Sequence, residues 1–247
     1  MSTLWGPPPN HLNLSTGEVH VWLSSLDFSP PRIDNFRRTL DDEERDRAAR
    51  FHFQKDRDHF IAGRGLLRDI LGRYLGLEPR RLQFRYSSYG KPDLAEQPRN
   101  ERLCFNVSNS HGLALFGITC GRQIGVDLEY VRSGLADERI AEHFFSAQEI
   151  RTLRALPPRV QNEAFFNCWT RKEAYIKARG EGLSVPLHLF DVSLAPGEPA
   201  ALLNTRVDDQ EASRWMLREL SPAPEFVGAV AVEGSDWELK CWRWQSR

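Results

Sequence analysis

The chain is poor in the groups that several kinds of site require. Its four cysteines, Cys104, Cys120, Cys168 and Cys241, are scattered, and none forms a CxxC pair or joins histidines at zinc spacing. They read as buried thiols of a reducing compartment. No charge of one sign is in excess: 33 basic and 34 acidic residues leave a formal charge of −1. No global field therefore draws the chain to nucleic acid or to a membrane, and anion recognition has to come from local clusters. No apolar run approaches the roughly 20 residues that a bilayer span needs. The opening MSTLWGPPPNHLN lacks the basic segment followed by an apolar core that marks a secretory leader. A soluble, cytoplasmic protein is expected, with neither nucleic acid nor membrane as a partner. No Ser/His/Asp or Cys/His constellation suggests a nucleophile carried by the protein itself.

What is present suffices for a sizeable core. With 247 residues, 40% of them hydrophobic and 11% aromatic, the chain can form one large domain or two small ones. Val19, Val21 and Leu23 mark a first strand. Thr39 with Asp41, Asp42 and Glu43 opens a helix carrying Arg45, Arg47 and Arg50. A longer helix over 56–75 carries a stripe of Phe60, Leu67, Ile70, Leu71 and Tyr74, with Gly76 as its stop. LQFRY then leads into the turn Ser88-Tyr89-Gly90-Lys91-Pro92, and LCFNVS and LALFGIT supply two further strands. At an offset of about 105 residues the plan recurs. Val19, Val21 and Leu23 map onto Ile124, Val126 and Leu128; Glu44 maps onto Glu149, Phe60 onto Phe165 and Leu82 onto Leu187. The hairpin RWMLREL/FVGAVAV answers the one ending near Thr119. Two similar subdomains of α+β class are expected, 18–122 and 123–247, with the ligand site in the cleft between them.

The stretch Ile124-Gly125-Val126-Asp127-Leu128-Glu129 organises the second unit. Its alternation predicts a strand that buries one face and sends Asp127 and Glu129 from the other, with Cα atoms roughly 6–7 Å apart. A strand with one wet face is the commoner fate of such a segment. Two like charges at that spacing repel unless something positive lies nearby, and a hard divalent cation suits them. The spacing predicts a helix over 163–179, with Phe165, Trp169, Lys172 and Ile176 along one stripe. Glu173 falls at the edge of that stripe, and Lys177 one turn further on. The pair is open to two readings, an ordinary surface ion pair or part of a site. Asp127, Glu129 and Glu173 together would give an all-oxygen donor set that suits Mg²⁺. Lys172 and Lys177 would flank it and neutralise charge on a phosphoryl group in motion.

GVDLE, then FFSAQE, then WTRKEAYIKARGEGL, in this order and spacing, resembles the signature of the 4'-phosphopantetheinyl transferases of the surfactin-synthetase type. YGKP at Tyr89 to Pro92 and FNVSNS at Phe105 to Ser110 extend the resemblance over about 47–186. The resemblance implies a pseudo-dimeric single chain, two similar subdomains related by a pseudo-two-fold axis with the active site in the cleft. It implies an enzyme that moves the phosphopantetheine arm of coenzyme A onto a serine of a carrier protein and releases adenosine 3',5'-bisphosphate. By the same resemblance Asp127, Glu129 and Glu173 are Mg²⁺ ligands, with Asp127 close to the coenzyme A pyrophosphate. Glu149 matches the general base for the serine, and Lys177 a lysine near the pyrophosphate. Lys91 lies in the nucleotide-side loop, Ser108 and Asn109 match positions that bind the 3'-phosphate, and Arg47 and Arg64 match basic residues that hold coenzyme A phosphates.

Two positions carry competing readings. Ser146-Ala147-Gln148-Glu149 is also a capping box, in which Glu149 reaches back to the Ser146 amide. At Asn109 the family pattern has histidine, so a neutral amide replaces a chargeable ring. His111, two residues on, is expected either to take part of that role or to be a turn residue in water. Arg151, Arg154 and Arg159 could form a basic rim for an acidic acyl, peptidyl or aryl carrier protein, or a solvated helix face. The same residues would also serve a Mg²⁺-dependent phosphohydrolase acting on a nucleotide or coenzyme A, or a module that binds coenzyme A or carrier proteins without turning them over. A chain built from two similar halves is expected to act as a monomer.

Overall fold

The computed structural model describes residues 5–97, 102–132, 138–182 and 185–245. In the first half, β1 (Glu18–Ser25) is followed by α1 (Pro30–Arg37), α2 (Asp42–Ala49) and α3 (Gln54–Leu75). A short hairpin of β2 (Phe84–Tyr86) and β3 (Pro92–Leu94) comes next, then a long one of β4 (Leu103–Ser110) and β5 (Leu113–Cys120). The second half opens with β6 (Ile124–Tyr130), continues through α4 (Glu138–Phe144), α5 (Ala147–Ala155) and α6 (Pro158–Arg179), and then repeats the hairpins as β7 (Phe190–Val192) with β8 (Leu202–Thr205), and β9 (Trp215–Leu220) with β10 (Phe226–Glu233). A last strand, β11 (Glu238–Arg243), follows.

The offset of about 105 holds element by element. It carries β1 onto β6, α2 onto α5, α3 onto α6 and β2 onto β7. Each half makes the same antiparallel sheet, in the order β1-β5-β4 and β6-β10-β9. In both, a capping box starts the second-to-last helix: Asp41 with Glu44 at α2, Ser146 with Glu149 at α5. Both long helices end on a glycine in the left-handed region, Gly76 and Gly180.

Four layers result. Trp22, Phe116 and Ile118 face α1 and α3 and form one core with Phe36, Leu66 and Leu67. Val19, Val21 and Leu23 of β1 turn the other way, against Ile124, Val126 and Leu128 of β6 and Val230 and Val232 of β10. This middle layer welds the halves, because each fully buried Val, Ile or Leu contributes roughly 1.5–3 kcal/mol. Ala229 and Ala231 of β10 complete the stack against α6. Small residues there let the helix lie close to the sheet.

Three expectations about elements need correction. The cap of α2 is Asp41, not Thr39, whose hydroxyl instead donates to the Phe36 carbonyl at the end of α1 (2.7 Å). Helix α1 was not anticipated; it opens on Pro30-Pro31, and proline suits the first turn of a helix, where its missing N–H is no loss. Strand β11 falls in the range assigned to the second unit but pairs in parallel with β1, Glu18 opposite Glu238 through Leu23 opposite Arg243. Trp242 and Trp244 pack with it onto the first core.

The buried face of β1 makes one pH-dependent element. His20 is buried, its Nδ1 is 2.9 Å from the Tyr74 hydroxyl, and that hydroxyl also accepts from the Trp22 indole (2.9 Å). Its Nε2 has no hydrogen-bond partner among the described residues. Burial pushes the imidazole down from 6.5 to about 4, against the opposing pull of Glu18. Between those two values the unfolded chain binds the extra proton, so stability rises with pH across that window and is flat above it. His20→Asn, which keeps an acceptor for Tyr74 but does not titrate, removes this dependence. The difference in unfolding free energy between wild type and variant should grow by up to about 3 kcal/mol from pH 4 to pH 6.5 in urea titrations. A constant difference across the window would refute it.

Candidate active site

Gly125 brings the site together. A Cβ at this position would lie 2.0 Å from the Ala174 carbonyl oxygen and 2.3 Å from the Ala178 amide nitrogen, so β6 touches the backbone of α6. The contact sets Asp127 and Glu129 beside the helix face that carries Glu173 and Lys177. Lys177 Nζ lies 2.6 Å from Asp127 Oδ1 and 3.1 Å from the Ser108 hydroxyl, which itself donates to Asp127 Oδ1 (2.9 Å).

The edge of β4 runs along β6 and pairs with it through side chains. Asn106 Oδ1 accepts from the Val126 amide (3.0 Å), Ser108 reaches Asp127, and the Ser110 hydroxyl accepts from the Tyr130 amide (3.3 Å) and lies 3.4 Å from Glu129 Oε2. Residues two apart share a strand face, so one face of FNVSNS serves the carboxylate strand. The Ser108 hydroxyl belongs to the carboxylate cluster, while Asn109 lines the larger of two cavities.

The cluster is electrostatically unbalanced. Burial, then the charge of Asp127, push the Glu129 carboxyl up to about 7, with Lys177 pulling the other way. Burial and Asp127 also raise Glu173. Asp127 Oδ2 is buried without a hydrogen-bond partner among the described residues. Among those residues no three His, Cys, Asp or Glu side chains are already gathered into a metal-binding cluster. Lys177 holds Asp127 instead. The donor set nevertheless fits a hard cation: an orphaned carboxylate oxygen and two carboxyls whose anions Asp127 destabilises are groups that added positive charge would satisfy.

Two cavities adjoin, and one of them reaches this cluster. The smaller, ≈ 230 Å³, lies between the halves and is lined by Tyr89, Lys91, Val107, Glu173, Ile176 and Lys177 among others. The larger, ≈ 490 Å³, is lined by Arg47, Arg64, His59, Tyr86, Asn106 and Asn109 among others. They share Gly90, Pro92, Asn106 and Val107, so together they form one cleft with arginines at one end and Lys177 at the other. Arg47 sits over the Phe60 ring (5.3 Å). Arg64 is anchored: its Nε donates to Glu44 (2.6 Å) and it stacks on Phe84. The Lys91 ammonium donates to the carbonyls of Ile124 (3.1 Å) and Ala178 (3.0 Å), tying the hairpin loop to the second half, and burial lowers it to about 8.

Other expectations are redirected. Lys172 does not flank the carboxylates. It is wholly buried, donates to the Leu187 and Phe190 carbonyls (2.7 Å each), and pairs with Glu149 at 2.8 Å. Glu149 is 2% exposed and accepts from the Ser146 amide and the Val192 amide, each at 2.8 Å. These contacts are those of the capping box, and they enclose the carboxylate. His111 occupies the β4–β5 turn with φ of 46°, stacked on Tyr130 (4.8 Å) with Arg132 2.6 Å from its Nε2. Burial and Arg132 hold its ring below the ordinary histidine range. Arg151 and Arg154 bond to Gln148 and Glu142 on the exposed side of α5. The last residue of the WTRKEAYIKARGEGL block, Leu183, lies outside the described residues. Residues not foreseen include Asn106, Ser110 and Trp169, whose side chain hydrogen-bonds Glu129. The i, i+2, i+4 spacing of Asn106, Ser108 and Ser110 was the signal for the first two.

A pseudo-dimeric α+β chain whose inter-half cleft joins arginines to a carboxylate and lysine cluster is built for a phosphate-bearing substrate. Family models agree and divide the chain where the repeat does. Residues 29–117 match the model described as 4'-phosphopantetheinyl transferase, N-terminal, and residues 123–231 that of the 4'-phosphopantetheinyl transferase superfamily. The 4'-phosphopantetheinyl transferase HetI of Nostoc sp. is 43% identical over 97% of this chain and 98% of its own. A 4'-phosphopantetheinyl transferase of Bacillus subtilis is 34% identical over 77% of this chain and 86% of its own, and Sfp of Bacillus subtilis (strain 168) is 30% identical over 68% and 72%. The chain belongs to the 4'-phosphopantetheinyl transferase superfamily.

Proposed function

We propose that this enzyme moves the phosphopantetheine arm of coenzyme A onto a serine of an apo acyl, peptidyl or aryl carrier protein in a Mg²⁺-dependent reaction that releases adenosine 3',5'-bisphosphate. The observation that carries the reading is Asp127, buried with one oxygen on Lys177 and Ser108 and the other without a hydrogen-bond partner among the described residues, while Lys177 and Glu173 beside it line a cleft between the halves. Asp127, Glu129 and Glu173 would hold the Mg²⁺. When bound, the metal supplies polarisation of the pyrophosphate oxygens and charge neutralisation.

The chain's own residues do the rest. Phosphoryl transfer asks a protein mainly for positioning and for positive charge where negative charge develops. Arg47 and Asn109 line the larger cavity, suited to the nucleotide phosphates. Lys177 stands at the inner end, where a phosphoryl group would pass. Lys91 spends two of its three donors on Ile124 and Ala178, which keeps the loop closed against α6 and the cleft narrow. The working units are 18–122 and 123–247, with β11 returned to the first sheet, and the enzyme acts as a monomer. No helix among the described residues is long and apolar enough to cross a membrane.

Incubation with coenzyme A, Mg²⁺ and an apo carrier protein tests the reading. Intact mass should show the carrier gaining one phosphopantetheine group, with adenosine 3',5'-bisphosphate released in equal amount. Coenzyme A consumed without any gain by the carrier would overturn it in favour of hydrolysis. Arg47→Gln should raise the KM for coenzyme A by about tenfold while kcat holds, because a charge-assisted contact to substrate is lost equally from ground and transition states. An unchanged KM would place the nucleotide phosphates elsewhere.

A further inference from the structure

We infer that Glu149 is a positioning residue, which through Lys172 sets the rotation of α6 and hence the place of Glu173 and Lys177, and that it is not the base for the carrier serine. The inference rests on the transferase reading and deepens it. Each oxygen of Glu149 is already committed: Oε1 accepts from the Val192 amide at 2.8 Å, and Oε2 from the Ser146 amide at 2.8 Å and from Lys172 at 2.8 Å. The Cys168 thiol, one turn before Lys172, also hydrogen-bonds this carboxylate. No lone pair is left pointing at solvent, and the side chain is buried.

Helix geometry fixes what the pair controls. Successive residues of an α-helix are turned by about 100°, so Lys172 points away from Glu173 by about that much, and Cys168 and Lys172, four apart, share a face. That face is held by α5 through Glu149, by β7 through Val192 and by the Leu187 and Phe190 carbonyls. Glu173 and Lys177 lie on another face, toward β6. The pin therefore sits on the side of the helix turned from the chemistry and acts on it only by fixing the helix.

The first half shows the same device away from the carboxylate cluster. Glu44, at the same place in its capping box, accepts from the Asp41 amide (3.2 Å) and takes Arg68 Nε at 2.7 Å and Arg64 Nε at 2.6 Å from α3. In both halves a capping-box glutamate, 3% exposed or less, captures cations of the long helix. A carboxylate duplicated with its cap and its cation is a structural part of the repeat.

Glu149→Gln, Lys172→Met and the double variant decide the matter, with kcat, KM, the pH–rate profile, coenzyme A affinity by calorimetry and Tm measured for each. Glutamine matches the shape, keeps at most one of the two amide contacts because it has a single acceptor oxygen, and gives up the charge. The expected result is a lowered Tm and a several-fold loss of coenzyme A affinity in each single variant, kcat of Glu149→Gln within about tenfold of wild type, and the acid limb of its pH–rate profile unmoved. In the double variant the loss in Tm should be smaller than the sum of the two single losses, because no buried charge is left alone. A thousandfold fall in kcat with unchanged Tm and affinity, and an acid limb abolished, would overturn the inference and make Glu149 the base. Unchanged Tm and affinity together with unchanged kcat would overturn it too. Failure of the transferase reading is distinguishable, since wild-type protein would then fail to modify the carrier while the Tm coupling persisted.

Discussion

Asp127→Asn abolishes transfer and leaves the fold standing. The substitution removes the charge to which Lys177, Glu129 and Glu173 all respond, so the loss in kcat/KM is on the order of a thousandfold or more, about 4 kcal/mol of transition-state stabilisation. Stability should change little, within about 1 kcal/mol, for two opposing reasons. Breaking a buried pair usually costs, because it strands the partner charge. Here the stranded group is Lys177, whose side chain is 29% exposed and can turn to water, while Glu129 and Glu173 lose a repelling neighbour. In metal-free protein the Glu129 carboxyl, held up to about 7, should move down toward the ordinary range while remaining above it, since burial is the larger cause. Intact-mass assays, thermal melts and carboxyl NMR titration check the three parts. Transfer retained within tenfold, or a Tm lost along with the activity, would show Asp127 to be a packing residue.

The same cluster shows how far the sequence is legible. The period of two in Ile124 to Glu129 and the period of 3.6 in α6 are local signals, and they place Asp127, Glu129, Glu173 and Lys177 on the faces where the structure has them. The repeat was legible because apolar positions and one glutamate recur at a single offset, Val19, Val21 and Leu23 onto Ile124, Val126 and Leu128 and Glu44 onto Glu149. Lys172 was misplaced for a physical reason. Helix α6 is buried on nearly every side, so a stripe does not tell which face a lysine serves, and a cation on a buried face pairs with whatever carboxylate the tertiary fold brings. At Glu149 two local signals compete, the capping box and its position within a motif. Ser108 and Asn109, joined as neighbours in one motif, separate because consecutive strand residues face opposite ways. The place of β11 depends on a pairing of Glu18 with Glu238 that no local pattern records.

Gly125→Ala is the complementary case, in which activity falls because the scaffold does. The added methyl would sit 2.0 Å from the Ala174 carbonyl oxygen, 2.3 Å from the Ala178 amide nitrogen and 2.9 Å from the Lys177 carbonyl carbon, all backbone atoms of α6. No rotamer can relieve that contact, so either β6 or the helix has to move by more than an ångström. The helix is pinned on its far side by the Glu149–Lys172 pair, and β6 is fixed by β10 on one edge and by Asn106, Ser108 and Ser110 on the other. Overpacking against side chains costs about 1–3 kcal/mol. Against a clamped backbone the upper end or beyond is expected, a fall in Tm of roughly 6–12 °C for a chain of this size. Transfer should drop at least a hundredfold in the fraction that still folds, since Lys177 then stands farther from Asp127 and the two sides of the cluster no longer meet. The contrast with Asp127→Asn separates the roles: one loses chemistry at constant Tm, the other loses both. A Gly125→Ala protein with wild-type Tm would mean that β6 and α6 are not in backbone contact, and the spacing of the whole site would have to be redrawn.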